Sequence, residues 1–252
     1  MSARRRVLLI VLIVWGCSSA APARATEGLF LTWNDCALAP GSTHDFSSPC
    51  LSNVGAQHLY CAFRMPFPTD SVLGVEIVVD VQHANATLPD WWRLDNVGCR
   101  AGELRAGTDF PPASPCVDFF QDEASSDLQG YYLTEPRGGS NQASIRVAAS
   151  LLPSAGYALL DSSSMYLGAR LSLSNALTVG VTSCGGCLDP ACLVLNSILV
   201  RRQPGATGGD VFLGVPGPDD ANWATWRGGT GADCAAVPVR SVTWGRLKGL
   251  YR

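Results

Sequence analysis

Three cysteines within nine residues, in Cys184-Gly-Gly-Cys-Leu-Asp-Pro-Ala-Cys192, are the side chains best placed to do chemistry. Their C-x2-C-x4-C spacing would present three thiolates to a tetrahedral metal, with Cys234 or a histidine as the fourth ligand. A zinc ribbon needs a second C-x2-C, and the chain has none. Cys184 and Cys187 also have the spacing of a thiol-disulfide redox pair, which depends on a thiolate held at a helix N-terminus; no βαβ pattern surrounds them. The third reading, a disulfide knot, needs only an oxidising compartment. His44, His58 and His83 are the only histidines, and neither a G-x-S-x-G elbow nor an H-E-x-x-H helix accompanies them. No catalytic residue, metal site or cofactor is therefore assigned. The acidic pairs Asp122-Glu123 and Asp219-Asp220, the latter near Asn222, lack the spacing of a calcium loop and read as solvated turns. Trp91-Trp92 and Tyr131-Tyr132 are candidates for stacking on a glycan, with one residue of each pair on a given face if the segment is a strand.

The N-terminus decides between these chemistries. Arg4, Arg5 and Arg6 precede an apolar run, Val7 to Trp15, too short to span a bilayer, and Ala23-Arg24-Ala25 has the small-x-small pattern of a cleavage site. Residues 1–25 are thus expected to be a signal peptide, with a mature start at Thr26 and export to the periplasm, cell surface or medium. Lipidation at Cys17 is the competing reading, disfavoured by the bulk of Trp15. Loss of four arginines with the leader leaves 14 basic against 21 acidic residues, a net charge of about −7, which argues against nucleic acid as a partner. Lys248 is the only lysine beside the arginines, consistent with a GC-rich bacterial source. No other apolar stretch is long enough for a membrane span, and oligomeric state is not legible.

Nine cysteines then remain, and disulfides are preferred for Cys36, Cys50, Cys99, Cys116, Cys184, Cys187, Cys192 and Cys234, leaving an odd thiol. Connectivity stays open. Short loops favour Cys36 with Cys50, Cys99 with Cys116 and Cys187 with Cys192, and Cys234 is then the natural partner for Cys184.

The elements that must position these cysteines read as strands. Gly28 to Trp33, Gln57 to Pro66, Val72 to Val81, Tyr131 to Thr134, Ala143 to Ala148, Tyr166 to Leu173, Leu193 to Val200 and Val211 to Leu213 are short apolar or alternating runs separated by Gly, Pro, Ser and Asn turns. Val75, Ile77, Val79 and Val81 share one face of the strongest of them. Short strands without a long amphipathic helix predict an all-β fold, an antiparallel, jelly-roll-like β-sandwich stapled by disulfides. The sandwich is expected over 26–214. Residues 215–252 read as a Trp/Gly/Pro-rich tail packed on it by Trp223 and Trp226, ending in a short helix striped by Trp244, Leu247, Leu250 and Tyr251.

The run Pro68 to Val81, followed by Ser144 to Ala149 and Met165 to Leu173, resembles the strand order of cohesin-type and carbohydrate-binding-module-like sandwich domains of secreted bacterial proteins, over about residues 55 to 200. The resemblance implies a sandwich used for extracellular attachment or scaffolding and carries no individual residue role. The function expected is a non-catalytic, secreted or cell-surface module that binds an extracellular protein partner. The alternatives are a glycan-binding module and a thiol-redox protein or enzyme built on residues 184–192.

Overall fold

The computed structural model describes residues 27–134, 139–214, 216 and 221–228. The signal peptide, Cys17, Cys234 and the terminal helix expected at 244–252 lie outside the described residues. The described chain is all-β, two packed sheets with a single 3-10 turn at Asp90–Trp92. Sheet A has the order β1 (Gly28–Trp33), β3 (Ala56–Arg64), β9 (Met165–Ser174) and β5 (Leu104–Gly107). Sheet B runs β2 (Asp45–Phe46), β12 (Trp223–Trp226), β10 (Ala191–Arg202), β4 (Thr69–His83), β7 (Gln142–Leu151) and β6 (Ala124–Leu133), with β8 (Ala158–Leu160) on β4 and β11 (Val211–Leu213) on β10. Pairing between strands is antiparallel except for β2 beside β12.

Period-two alternation aims one side of each sheet at the other. Val75, Ile77, Val79 and Val81 of β4 are buried as the valine-rich run requires, against Leu59, Cys61 and Phe63 of β3 and Leu171 and Leu173 of β9. Burying each large aliphatic side chain stabilises the sandwich by about 1.5–3 kcal/mol. In β10, Leu193 and Leu195 face inward; an extra residue, Asn196, shifts the register so that Ile198 and Val200 keep to the core. The outer face of sheet A is not bare: Phe30, Tyr60, Ala62, Met165 and Leu167 form a second cluster with Cys36 and Cys116.

Sheet B continues beyond residue 214, because Trp223–Trp226 pairs with Val194 to Ala191 as a full strand. The sequence also understated β6, whose first half, Ala-Ser-Ser-Asp, has the polar composition of an edge strand rather than an alternating pattern. Among the described residues no helix is long and apolar enough to cross a membrane, a statement that does not bear on strands.

Candidate binding surface

Register places the connections at two ends of the sandwich. One end gathers the loops after β1 and β2 (34–55), after β4 (84–103) and after β9 (175–190), since the start of β3 pairs with the end of β9 and the start of β10 with the end of β4. Two disulfides tie these loops together: Cys50 with Cys187 and Cys99 with Cys184, each with Cα atoms 6.0 Å apart. A third bridge, Cys36 with Cys116, fastens two loops over the outer face of sheet A. Cys192 is disulfide-bonded as well. Bridges of this number belong to an oxidising, extracytoplasmic setting.

None of the expected short-range pairs forms, and the topology explains each case. Cys36 follows β1 in sheet A, whereas β2 carries the chain across to sheet B before Cys50. β5 runs along sheet A between Cys99 and Cys116 and separates them. Cys187 packs into the core between the sheets while Cys192 points to the outer face of sheet B beside Val194 and Trp223, so they lie on opposite sides. Cys184 is taken by Cys99, which removes Cys234 as its partner. The C-x2-C pair is therefore neither a dithiol nor a set of thiolates for a metal. Among the described residues no group of three or more His, Cys, Asp or Glu could hold a metal ion.

Among the described residues the free cysteine is Cys61, completely buried in the core, where desolvation pushes its thiol up to about 12. A thiolate is the reactive form, so Cys61 is inert in the folded protein. A thiol reagent is expected to leave native Cys61 unlabelled and to label it, as read by peptide mapping, once the protein is denatured without reductant. Fast labelling of Cys61 in the native protein would contradict this burial.

Beneath the stapled loops lies an aromatic cluster. Trp91 and Trp92 are fully buried, so neither is offered to a glycan: the 3-10 turn points both rings inward, onto Trp226, at 4.6 Å and 5.9 Å between centroids. Trp33 and Phe46 complete the group. Its polar edges hold the loops: Trp91 Nε1 donates to Thr178 Oγ1 at 3.1 Å, Trp91 N to the Gly185 carbonyl at 2.8 Å, and Trp226 Nε1 to the Cys187 carbonyl at 2.7 Å. Gly186, at φ 105°, turns against Pro89 where a Cβ would collide. Arg100, absent from the candidates drawn from sequence, is also fully buried: its guanidinium stacks 3.7 Å over the Trp91 ring and donates to the carbonyls of Trp91 and Ser174. Desolvation pushes it down to about 10, and it remains charged at neutral pH.

Of the tyrosines, Tyr131 is tucked under the turn, donating to the Trp92 carbonyl at 2.6 Å, and burial raises its hydroxyl above the usual range. Tyr132 is the exposed member and lines, with Tyr131, Asp95 and Asn96, a cleft of about 340 Å³. The Arg146 guanidinium lies 4.4 Å over the Tyr132 ring, whose edge folds back against Gly130. The histidines occupy three unrelated settings. His44 Nδ1 is 2.7 Å from the Trp223 carbonyl, and His58 Nδ1 is 3.0 Å from Ser172 Oγ on the outer face of sheet A. His83 is buried at the end of β4, where desolvation lowers its pKa. No triad forms among them. Asp122 and Gln121 both take positive φ in the turn before β6, which accounts for the acidic pair as turn geometry.

Among polar loop residues, the stapled end holds five aliphatic side chains out to solvent. Leu51 is 80%, Val54 82%, Val97 88% and Leu188 59% exposed, and Val181 is fully so. Leu51 and Leu188 directly follow the bridged Cys50 and Cys187. Val97 precedes Cys99, which is bridged to the loop that carries Val181. Asn53 locks the loops further, its Oδ1 accepting from Thr178 N at 2.8 Å and Val179 N at 2.9 Å while its Nδ2 donates to the Val179 carbonyl at 3.0 Å. Cys50 and Leu177 are held at φ 54° and 58°, a region non-glycine residues enter at a cost. Such strain persists only where surrounding contacts over-determine it. The sequence carries a signal for this surface, aliphatics beside cysteines in Gly/Ser/Asn-rich loops, but it takes the strand register and the bridges to bring those loops to one place.

No protein-family model matches the chain, and no curated protein or solved structure matches it.

Proposed function

We propose that the protein is exported by its N-terminal signal peptide and acts, without catalysis, as a β-sandwich module that binds or scaffolds an extracellular protein partner through its stapled loop end. The observation that carries this reading is the set of aliphatic side chains, Leu51, Val54, Val97, Val181 and Leu188, held out to water on loops cross-linked by two disulfides. A folded protein leaves single apolar residues exposed as a matter of course; a group fixed at one end is a mark of an interaction site. Cross-linking favours binding, because loops that are already ordered lose little freedom on association. The partner's epitope is correspondingly apolar and uncharged. Asp90 and Asp189 at this end disfavour anionic lipid headgroups. Glycan binding has weaker support, since Tyr132, the one exposed aromatic of the four candidates, already has Arg146 over its ring.

The test uses the full chain and a Leu51→Ser/Val54→Ser/Val181→Ser variant. All three side chains are exposed, so the melting temperature is expected to stay within about 2 °C. A stoichiometric partner captured from the producing organism's extracellular fraction is expected to bind the variant at least about 100-fold more weakly, as loss of a central apolar patch implies. Equal affinity for both proteins would remove the loop end as the binding surface.

A further inference from the structure

Cys184 and Cys187 sit three positions apart on one turn, yet each is bonded to a different distant loop: Cys184 to Cys99 in the loop after β4, Cys187 to Cys50 in the loop after β2. Two bridges that start from one C-x2-C turn can exchange, because a sulfur freed from the first is tethered close to the sulfurs of the second. The bridges also differ in access. Cys36 is 0% and Cys116 6% exposed over sheet A, and at the stapled end Cys184 and Cys187 are 3% and 6% exposed. Cys99 is the exposed partner, and Cys50 is half-buried. An external thiolate therefore meets the Cys99–Cys184 bridge first, from the Cys99 side.

We propose that the Cys184–Cys187 turn is a redox switch: a dithiol reductant drives the two long-range bridges to one local bridge, Cys184 with Cys187, and so unfastens both loops. A thiolate of the dithiol attacks Cys99 Sγ, the Cys99–Cys184 bond breaks, and Cys184 leaves as a thiolate. Cys184 then attacks Cys187 Sγ; the Cys184–Cys187 bond forms, the Cys50–Cys187 bond breaks, and Cys50 leaves as a thiolate that takes a proton from solvent. The second thiol of the dithiol resolves the mixed disulfide at Cys99. The dithiol ends as a disulfide, and the protein has gained two electrons and two protons as the thiols of Cys50 and Cys99.

The turn suits the second step. Gly185 and Gly186 place no side chain between the two cysteines, and a Cβ at Gly185 would meet nothing within 4 Å. The Arg100 guanidinium lies over the ring of Trp91, whose N–H donates to the Gly185 carbonyl, and a fixed positive charge beside the turn favours Cys184 leaving as a thiolate. Cys50, held at φ 54° while bridged, returns to ordinary backbone on release. Leu51 follows Cys50 and Val97 lies two positions before Cys99, so exchange frees two of the exposed aliphatic side chains from their tethers. The effect on binding rests on the loop end being the binding surface; the exchange itself does not.

The full chain is treated under native conditions with one equivalent of dithiothreitol, thiols are trapped with excess N-ethylmaleimide, and the disulfides are mapped without reduction. The expected species has Cys184 joined to Cys187, Cys50 and Cys99 alkylated, and Cys36 still joined to Cys116. Alkylated Cys99 and Cys184 with Cys50–Cys187 intact, or loss of Cys50–Cys187 ahead of Cys99–Cys184, overturns the proposal. The Cys99→Ser/Cys184→Ser variant keeps Cys50–Cys187 but lacks the internal attacking sulfur, and is expected to lose that bridge to the same dithiol at least about tenfold more slowly. Loss at the rate of the unaltered protein overturns the proposal as well. The exchanged protein is expected to bind the captured partner at least about tenfold more weakly. Equal affinity after exchange overturns its role as a switch, while the Leu51→Ser/Val54→Ser/Val181→Ser variant reports separately on whether the loop end binds.

Discussion

Trp91→Ala is expected to cost about 4 kcal/mol of stability and to lower the melting temperature by about 10 °C. The ring is fully buried and sits between Trp226, at 4.6 Å, and the edge of Trp92, at 5.1 Å, with the Arg100 guanidinium at 3.7 Å on its face. Removing it opens a cavity among groups that cannot collapse, because the disulfides hold the loops above. It also takes the indole donor from Thr178 Oγ1 and leaves a buried guanidinium without the ring that partly replaced its water. The last effect separates this site from an ordinary core tryptophan. Arg100→Met alone is expected to destabilise, since the Trp91 and Ser174 carbonyls lose their donor. In the Trp91→Ala background the same change is expected to cost at least about 1 kcal/mol less, because the stacking is already gone. Denaturant unfolding of the four proteins of this cycle measures the coupling. Additive losses would mean that Arg100 and Trp91 are neighbours without a shared interaction.

The contrast between β4 and the cysteines shows where sequence reading reaches and where it stops. Val75, Ile77, Val79 and Val81 declare their shared face through a period that any sheet imposes, so the strand, its central place and its buried side follow from local pattern. Cys36 and Cys50 are 14 positions apart, and proximity along the chain made them look like partners. The crossing of β2 to the other sheet, which parts them, rests on Asp45 and Phe46 alone, too short a strand to announce itself. The aromatic pair Trp91-Trp92 misled for a related reason. In a strand one ring would face out, but Pro89 leads into a tight turn that buries both. Arg100, a charged residue in a Gly-rich loop, reads as exposed; its burial follows from bridge and ring together. The odd count of nine cysteines shows that a thiol is left over but not which one; Cys61 is free because it sits on the inward face of β3 between Leu59 and Phe63, away from the other described cysteines.

Replacing Cys50 and Cys187 together by alanine is expected to lower both stability and binding. The bridge joins positions 137 residues apart, and the chain-entropy account gives about 5 kcal/mol for a loop of that length. That exceeds the figure for Cys36 with Cys116, separated by 80, by only a few tenths of a kcal/mol, because the dependence is logarithmic. The two pairs therefore differ in what they do to function rather than to the fold. Loss of Cys36 with Cys116 frees loops over sheet A, away from Leu51 and Val181. Loss of Cys50 with Cys187 lets Cys50 relax from φ 54° and unfastens Leu51 from Leu188, while Asn53 still pins the middle of the loop to Val179. The apolar side chains are then all present but no longer ordered in advance, and ordering them on binding costs about 0.5–1.5 kcal/mol for each side chain immobilised. Partner affinity is expected to fall by about tenfold in the Cys50/Cys187 variant, mostly through faster dissociation, and to be unchanged in the Cys36/Cys116 variant of similar stability. Asn53→Ala added to the Cys50/Cys187 variant removes the contacts to Thr178 and Val179 and is expected to lower affinity again. Equal affinities for the two disulfide variants, measured well below their unfolding transitions, would separate the staples from recognition and leave them with a role in folding alone.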